Sequence, residues 1–277
     1  MLIHSPYDVD ARYGTKRTTH WVGYKVHPTE SCDTDRPRVI THVMTTEATV
    51  TDYEVTASIQ GELVDKGLPP AEHLLDAGYV DAELLVHSQQ THQIRTTGPV
   101  IDDHSWQARE KTGYDLAAFT LDWENWRAIC PHGNSSRKWS ETHNTQGTPI
   151  INIRFGTTQC RACPVRQQCT RSAKGPRNIT VQPKAVHEAL QHARIHQRTA
   201  DFHERYKMRA GIEGSLSQGM RRSDLRQSRY IGLAKTHLQH ILTAAALNLY
   251  RITEWLMEKP VAQSRTAPFV RLMQGAI

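Results

Sequence analysis

The stretch His73-Leu74-Leu75-Asp76-Ala77-Gly78-Tyr79-Val80-Asp81 constrains the fold more than any other part of the chain. Pro69 and Pro70 precede it, and its apolar run ends in a carboxylate followed by Ala-Gly. That pattern predicts a brief buried strand ending at Asp76, with Gly78 letting the chain turn sharply. A carboxylate in that position is fixed by a sheet and still reaches its rim, where a metal or substrate can sit. An acid that caps a following helix produces the same pattern, and this stretch alone leaves both readings open.

The flanking sequence supplies partners for such a strand. Residues 21–27 (WVGYKVH) alternate, with Val22, Tyr24 and Val26 on one face, and residues 39–45 (VITHVMT) form a second extended run. The turn-rich Cys32–Pro37 connection makes these an antiparallel pair. Thr51-Asp52-Tyr53-Glu54 is a capping-box pattern, followed by Val55, Ile59 and Leu63 at helical spacing and by stop signals at Gly67, Pro69 and Pro70. Asp81 can cap a short helix over residues 82–88, and a further strand fits residues 93–100. The order strand, strand, helix, strand, helix, strand reads as an α/β domain with a mixed sheet.

Composition narrows the function classes. A chain of 277 residues can hold one large core with an insertion, or two domains. A net charge of +6 favours a polyanionic partner, and sixteen His add positive charge below neutral pH. No apolar run approaches the roughly 18 residues a membrane span needs. The first residues carry neither a basic nor an apolar leader, so a cytoplasmic protein is expected.

From residue 101 to 182 the character changes to short β-like pieces (119–123, 150–155 and 178–181) between polar turns. We divide the chain into residues 1–100, a β-rich insertion at 101–182, and a helical segment at 183–277. Four of the five Cys fall in the insertion. Cys160-x-x-Cys163 has chelate spacing, Cys169 follows, and Cys130 can complete a tetrahedral thiolate site, with His132 as a replacement ligand. Thiolates favour structural Zn²⁺ or an iron–sulfur cluster over Mg²⁺. Four free, partly buried thiols are the alternative, and Cys32 reads as a plain thiol.

In the helical segment Tyr206, Arg209, Glu213, Leu216 and Met220 recur at spacings of three and four, which places them on one helical face. A solvated Arg209–Glu213 pair is the ordinary explanation of such spacing. Basic residues cluster near the Cys (Arg161, Arg166, Arg171, Lys174, Arg177) and after Glu213 (Arg221, Arg222, Arg226, Arg229, Lys235), which suits phosphate contacts. Trp106, Trp123, Trp126 and Trp139 can stack on DNA bases or form a small core.

LLDAGYVD taken with Tyr206-x-x-Arg209-x-x-x-Glu213 resembles the insertion-sequence transposases of the DDE type, whose catalytic core is RNase H-like. The runs at Gly23–His27, Arg209–Gly219 and Arg229–His240 also resemble that family. The resemblance implies metal-dependent cleavage at transposon ends and strand transfer into target DNA. Asp76 and Glu213 would hold Mg²⁺ or Mn²⁺, with Tyr206 and Arg209 positioning Glu213 and phosphate. Two-metal phosphoryl chemistry needs hard carboxylate ligands from rigid elements, which fits these residue types. Where the family has a Lys, this chain has Met220, flanked by Arg221 and Arg222.

The family also carries a first Asp on a first strand, antiparallel to the strand bearing GYKVH. Only twenty residues precede Trp21, and Asp8 and Asp10 lie in the turn-like SPYDVDARYG. The expectation is therefore an RNase H-like mixed sheet lacking its first strand, in an N-terminally truncated transposase. Its partners would be double-stranded DNA and either a second copy or a separate N-terminal transposase fragment. The competing reading is a non-catalytic, Zn-stabilised DNA-binding or regulatory fragment.

Overall fold

The computed structural model describes residues 3–111 and 113–259. They form a mixed α/β protein with several small sheets, divided into two compact units. One unit comprises Met1–Thr49 with Ala210–Ile277, and the other comprises Val50–Arg209.

The first unit opens with β1 (Arg12–Lys16), β2 (Thr19–Glu30) and β3 (Ile40–Glu47), an antiparallel sheet in the order β1-β2-β3. The expected pair is β2 and β3, in register from Tyr24↔Glu47 to Thr29↔His42. Strand β1 precedes the GYKVH run, but its sequence RYGTK carries no Asp, so it is not the Asp-bearing first strand whose absence was expected. It pairs with residues 19–23 through a tight turn in which Arg17 takes a left-handed conformation (φ 56°). No apolar alternation announces this strand. What holds it is Trp21 lying over Gly14, where a Cβ would come within 2.7 Å of the indole.

The second unit begins at α1 (Asp52–Asp65), whose start is closed by the Thr51–Glu54 capping box: the Glu54 carboxylate accepts the Thr51 N–H at 2.6 Å. Val55, Ile59 and Leu63 are buried, and Gly67 takes a positive φ of 69° where the helix ends. Then come β4 (Glu72–Leu74), α2 (Ala82–His92) and β5 (Arg95–Thr97), a parallel pair joined by a helical crossover. Asp81 caps α2 by accepting the Leu84 N–H at 2.7 Å. Leu75, Val80, Leu84 and Val100 form a core cluster beneath. One mixed sheet was expected. The described strands instead form an antiparallel sheet, this parallel pair and two further small sheets. With three residues each, β4 and β5 offer little backbone for a longer ladder.

The remainder of this unit holds α3 (Trp106–Glu110), the hairpin β6 (Thr120–Asp122) and β7 (Arg127–Ile129), and the strands β8 (Lys138–His143) and β9 (Pro149–Arg154). Two short helices follow, α4 (Thr157–Ala162) and α5 (Arg166–Cys169), and then β10 (Asn178–Val181). Strands β10, β9 and β8 make an antiparallel sheet, and Phe119, Ala128, Ile151, Ile153, Phe155, Ile179 and Val181 give this region its own core. Trp123 and Trp139 pack against that core edge to face, with centroids 5.4 Å apart. Trp126 is exposed, and Trp106 carries the Arg171 guanidinium 4.5 Å above its ring.

Helices α6 (Lys184–His196) and α7 (Ala200–Lys207) follow. Thr199 caps α7 by accepting the Phe202 N–H. The chain then returns to the first unit with α8 (Gly211–Ser223) and α9 (Leu233–Leu256), the latter packed on β3. The single helix expected through Tyr206 and Met220 is broken: a 3-10 turn at Met208–Ala210 separates α7 from α8. Tyr206, Arg209 and Glu213 therefore do not share one helical face by simple periodicity. No described helix is long and apolar enough to cross a membrane.

Candidate functional site

Asp76 sits at the C-terminal side of β4. The ladder reaches it through Leu75, whose N–H donates to the Thr97 carbonyl at 2.9 Å. Its side chain also caps the 3-10 turn Ala77–Tyr79, accepting the Ala77 N–H at 2.9 Å. The strand itself ends at Leu74, two residues short of the expected end at Asp76, and the acid caps the 3-10 turn just beyond it. The turn is made by that 3-10 segment, not by a positive-φ glycine at 78. The glycine that the site does require is Gly98 on the neighbouring segment, where a Cβ would lie 2.5 Å from the Leu75 carbonyl oxygen and 2.8 Å from Val80.

Tyr206 on α7 reaches this carboxylate, its hydroxyl donating to Asp76 Oδ1 at a long 3.5 Å. The Tyr206 ring stacks on Phe202 with centroids 5.3 Å apart, and the Arg209 guanidinium lies 5.4 Å above it. The 3-10 turn after α7 makes this Arg–Tyr contact possible. Asp76, Tyr206 and Arg209 thus form one cluster on the second unit.

Glu72, two residues before the strand ends, anchors α7. Its carboxylate accepts Thr97 Oγ1 at 2.6 Å, Arg95 at 2.9 Å and Arg205 at 3.1 Å, and Arg205 also bonds Asp201 at 3.1 Å. Burial works against ionisation of Glu72, yet the Thr97 and Arg95 hydrogen bonds outweigh it and hold the pKa below the ordinary value. Sequence reasoning missed Glu72 and Arg205. Their only sequence signal is the Asp201–Arg205 spacing of four. Asp52 was missed too: its carboxylate lies 3.4 Å from where a Gly78 Cβ would stand. Tyr79, beside it, has its pKa pushed up by burial first and then by the negative charges of Asp52 and Asp76.

Glu213 lies exposed in the first turn of α8, in the other unit. Of the basic residues after it, Arg222 stacks 3.7 Å above the Tyr250 ring and Arg226 Nε approaches Met220 Sδ at 2.9 Å.

Asp8 and Asp10, the N-terminal acids, have structural partners. Asp8 accepts the Tyr24 hydroxyl at 2.8 Å and the Gly232 N–H at 3.0 Å, and Asp10 accepts the Leu233 N–H at 3.1 Å. Both acids therefore cap α9, whose first N–H groups need acceptors. Burial opposes ionisation of Asp8, but the Gly232 and Tyr24 hydrogen bonds overcome it and lower the pKa.

Cys130, Cys160, Cys163 and Cys169 line a single cavity of about 30 Å³ in the insertion, together with Arg166 and Arg177. Burial pushes the Cys169 thiol up, Arg177 pulls it down, and the other three thiols push it up again. Arg166 donates to the Ser172 and Gly175 carbonyls, and Arg177 donates to the Cys169 carbonyl at 2.9 Å. These two arginines brace the insertion and are not a free phosphate patch. Among the described residues no group of three or more His, Cys, Asp or Glu is arranged to hold a metal ion. The structural Zn²⁺ expected at the four Cys is therefore not supported: the thiols share a cavity without the close tetrahedral convergence that zinc demands.

The fold defines a mixed α/β protein in which a tyrosine on one helix meets a carboxylate just beyond a strand end. Residues 129–253 match the family model of the transposase DDE domain. The match takes in the four clustered cysteines and the Tyr206–Arg209–Glu213 motif, and leaves Asp76 outside it. It supports a DDE-type transposase, with the C-terminal portion as the part matched, and a transposase-type function. No curated protein and no solved structure matches the chain.

Proposed function

We propose that the chain works in DNA transposition, as a DDE-type transposase on an RNase H-like core that cuts and joins DNA with Mg²⁺ or Mn²⁺. The observation that carries the proposal is the transposase DDE match over 129–253, which contains the Tyr206–Arg209–Glu213 motif, taken with the contact of Tyr206 to Asp76. In this reading Asp76 and Glu213 are metal ligands. The bound ions supply activation of the attacking oxygen and stabilisation of the leaving one. The chain's own contribution is to hold the carboxylate of Asp76 in the cap just beyond β4 and to orient it through the Tyr206 hydroxyl. Arg209, stacked on Tyr206, presents a guanidinium to phosphate. The antiparallel sheet of one unit and the β4–α2–β5 crossover of the other are elements that such a core uses.

A second reading, a non-catalytic DNA-binding or regulatory protein, is favoured by one observation. Asp8 and Asp10, the acids nearest the place where the family carries its first Asp, are engaged in capping α9.

A nicking assay on supercoiled plasmid with Mg²⁺ or Mn²⁺, run beside a salt-dependent DNA-binding titration, decides between them. Catalysis predicts metal-dependent nicking that falls to background in Asp76→Ala and Glu213→Ala while binding persists. Salt-sensitive binding without nicking supports the second reading. Binding that is insensitive to salt removes the phosphate-contact role of the basic clusters.

A further inference from the structure

Helix α9 is apolar on the face turned away from β3. Its packed face carries Thr236, Gln239, His240, Thr243, Ala244 and Leu247, all buried. Along the opposite side run Leu238, Leu242, Ala245, Leu249, Ile252 and Leu256, at successive spacings of four, three, four, three and four. The large residues of that line are 38–69 % exposed, Leu249 the most. Ile241 and Trp255, at 41 % and 52 % exposure, extend the surface on one flank.

Spacing that alternates three and four over more than two heptads is the seam of a coiled coil, in which each side chain fits between four from a facing helix. A seam of this kind is self-complementary, so a two-fold axis can pair it with its own copy. Between Leu238 and Leu256 its positions carry no charged residue that would select a different partner or repel an identical one.

The area also suits a dimer. Eight large apolar residues from Leu238 to Met257 are between 38 % and 69 % exposed. At roughly 100 Å² apiece they offer about 800 Å² per copy, the share each partner contributes to a standard stable interface. Contiguous apolar surface of that extent is rare on a monomer.

We infer that the outer face of α9 is a homodimer interface, in which the Leu238–Leu256 seam packs against the same seam of a second copy. This assignment does not rest on the transposition chemistry proposed above, and mass measurements test it without any DNA.

The experiment is sedimentation equilibrium of the full chain across a broad concentration range. The wild type should run at twice the 31.5 kDa chain mass. The double variant Leu242→Glu/Leu249→Glu should run at chain mass with unchanged circular dichroism, because both side chains are exposed and leave the packed face intact. Leu242→Met/Leu249→Met should retain the dimer. As an independent readout, chains with Ala245→Cys mixed with chains with Leu249→Cys should form an intermolecular disulfide above the wild-type background, whichever way the helices run. A monomeric wild type, a dimer untouched by the Glu pair, or no added cross-link would each overturn the inference. A monomer that cosediments with phosphatidylcholine vesicles would assign the face to a lipid surface instead.

Discussion

The carboxylate of Asp8 accepts the N–H of Gly232, 224 positions further along the chain, at 3.0 Å, and so ties the N-terminal segment to the start of α9. The Tyr24 hydroxyl donates to the same carboxylate at 2.8 Å, which joins β2 to the clamp. An acid that the sequence places in a turn-like segment is thus part of a helix cap.

Replacing Asp8 with Ala should therefore lower stability by about 1–2 kcal/mol, the usual cost of losing a charged cap and its hydrogen bonds. Tyr24→Phe should cost less, and the two changes should be non-additive, since both remove one interaction. The Asp8 pKa is lowered in the fold, so its contribution is present above the unfolded value and lost as pH falls through the folded one. Urea melts of the two single variants and the double variant measure this. A fully stable Asp8→Ala protein that has lost DNA nicking would place Asp8 at the catalytic site instead.

His240 predicts a second loss of stability on acidification, in a window above that of Asp8. Burial, and then the neighbouring His237, lower its pKa from 6.5 to about 4, while Thr45 Oγ1 lies 2.7 Å from Nδ1. In the window between those values the unfolded chain binds a proton that the folded chain refuses. Stability is therefore full above the unfolded pKa and declines as pH falls through the window, by at most about 3 kcal/mol at its lower end. His240→Gln should flatten the profile of unfolding free energy against pH there. An unchanged slope would show that another group carries it.

Glu72 holds α7 against β4 and β5 through Arg205 and Arg95, and its side chain is only 17 % exposed. Glu72→Ala leaves two guanidinium groups without their common partner and should cost about 1–3 kcal/mol. Glu72→Gln, which keeps the shape and loses the charge, should cost less. If the proposed site is correct, both changes should also reduce Asp76-dependent nicking, because α7 presents Tyr206. Stability retained in Glu72→Ala would show that the network contributes nothing measurable.

Two glycines should respond in opposite directions to the same change. Gly98→Ala forces a Cβ to within 2.5 Å of the Leu75 carbonyl oxygen and should destabilise by about 1–3 kcal/mol. Gly61→Ala lies within α1, where a Cβ meets nothing within 4 Å, and should stabilise by about 0.5–1 kcal/mol. Thermal unfolding of both variants is the check. A Gly98→Ala protein as stable as wild type would mean that the segment beside Leu75 shifts freely.

Among the cavity thiols, Cys169 should alkylate most slowly near pH 8, because burial and three neighbouring thiols disfavour its thiolate. Peptide mapping after timed iodoacetamide treatment orders the four. Equal protection of all four, abolished by a chelator, would instead show that the thiols bind a metal in solution.

What the sequence determined by itself was local. The Thr51–Glu54 box, the Asp81 cap, the β2–β3 alternation and the existence of a short strand before Asp76 are patterns complete within a few residues, so propensity and capping chemistry suffice to read them. The Asp76 stretch left strand end and helix cap as alternatives; the strand stops at Leu74 and Asp76 caps the 3-10 turn beyond it. Tertiary structure decided the rest. Strand β1 forms by pairing with β2, with Trp21 packed close over Gly14, and nothing periodic in Arg-Tyr-Gly-Thr-Lys announces it. The helix through Tyr206 breaks at Met208–Ala210, where Met, Arg and Ala are all good helix formers and give no local stop signal. Asp8 and Gly232, or Glu72 and Arg205, meet across 224 and 133 positions, where no local preference reports on the partner. Acids and arginines carry the same letters whether they bind metal, phosphate or a helix end, and only the groups brought against them by folding decide which.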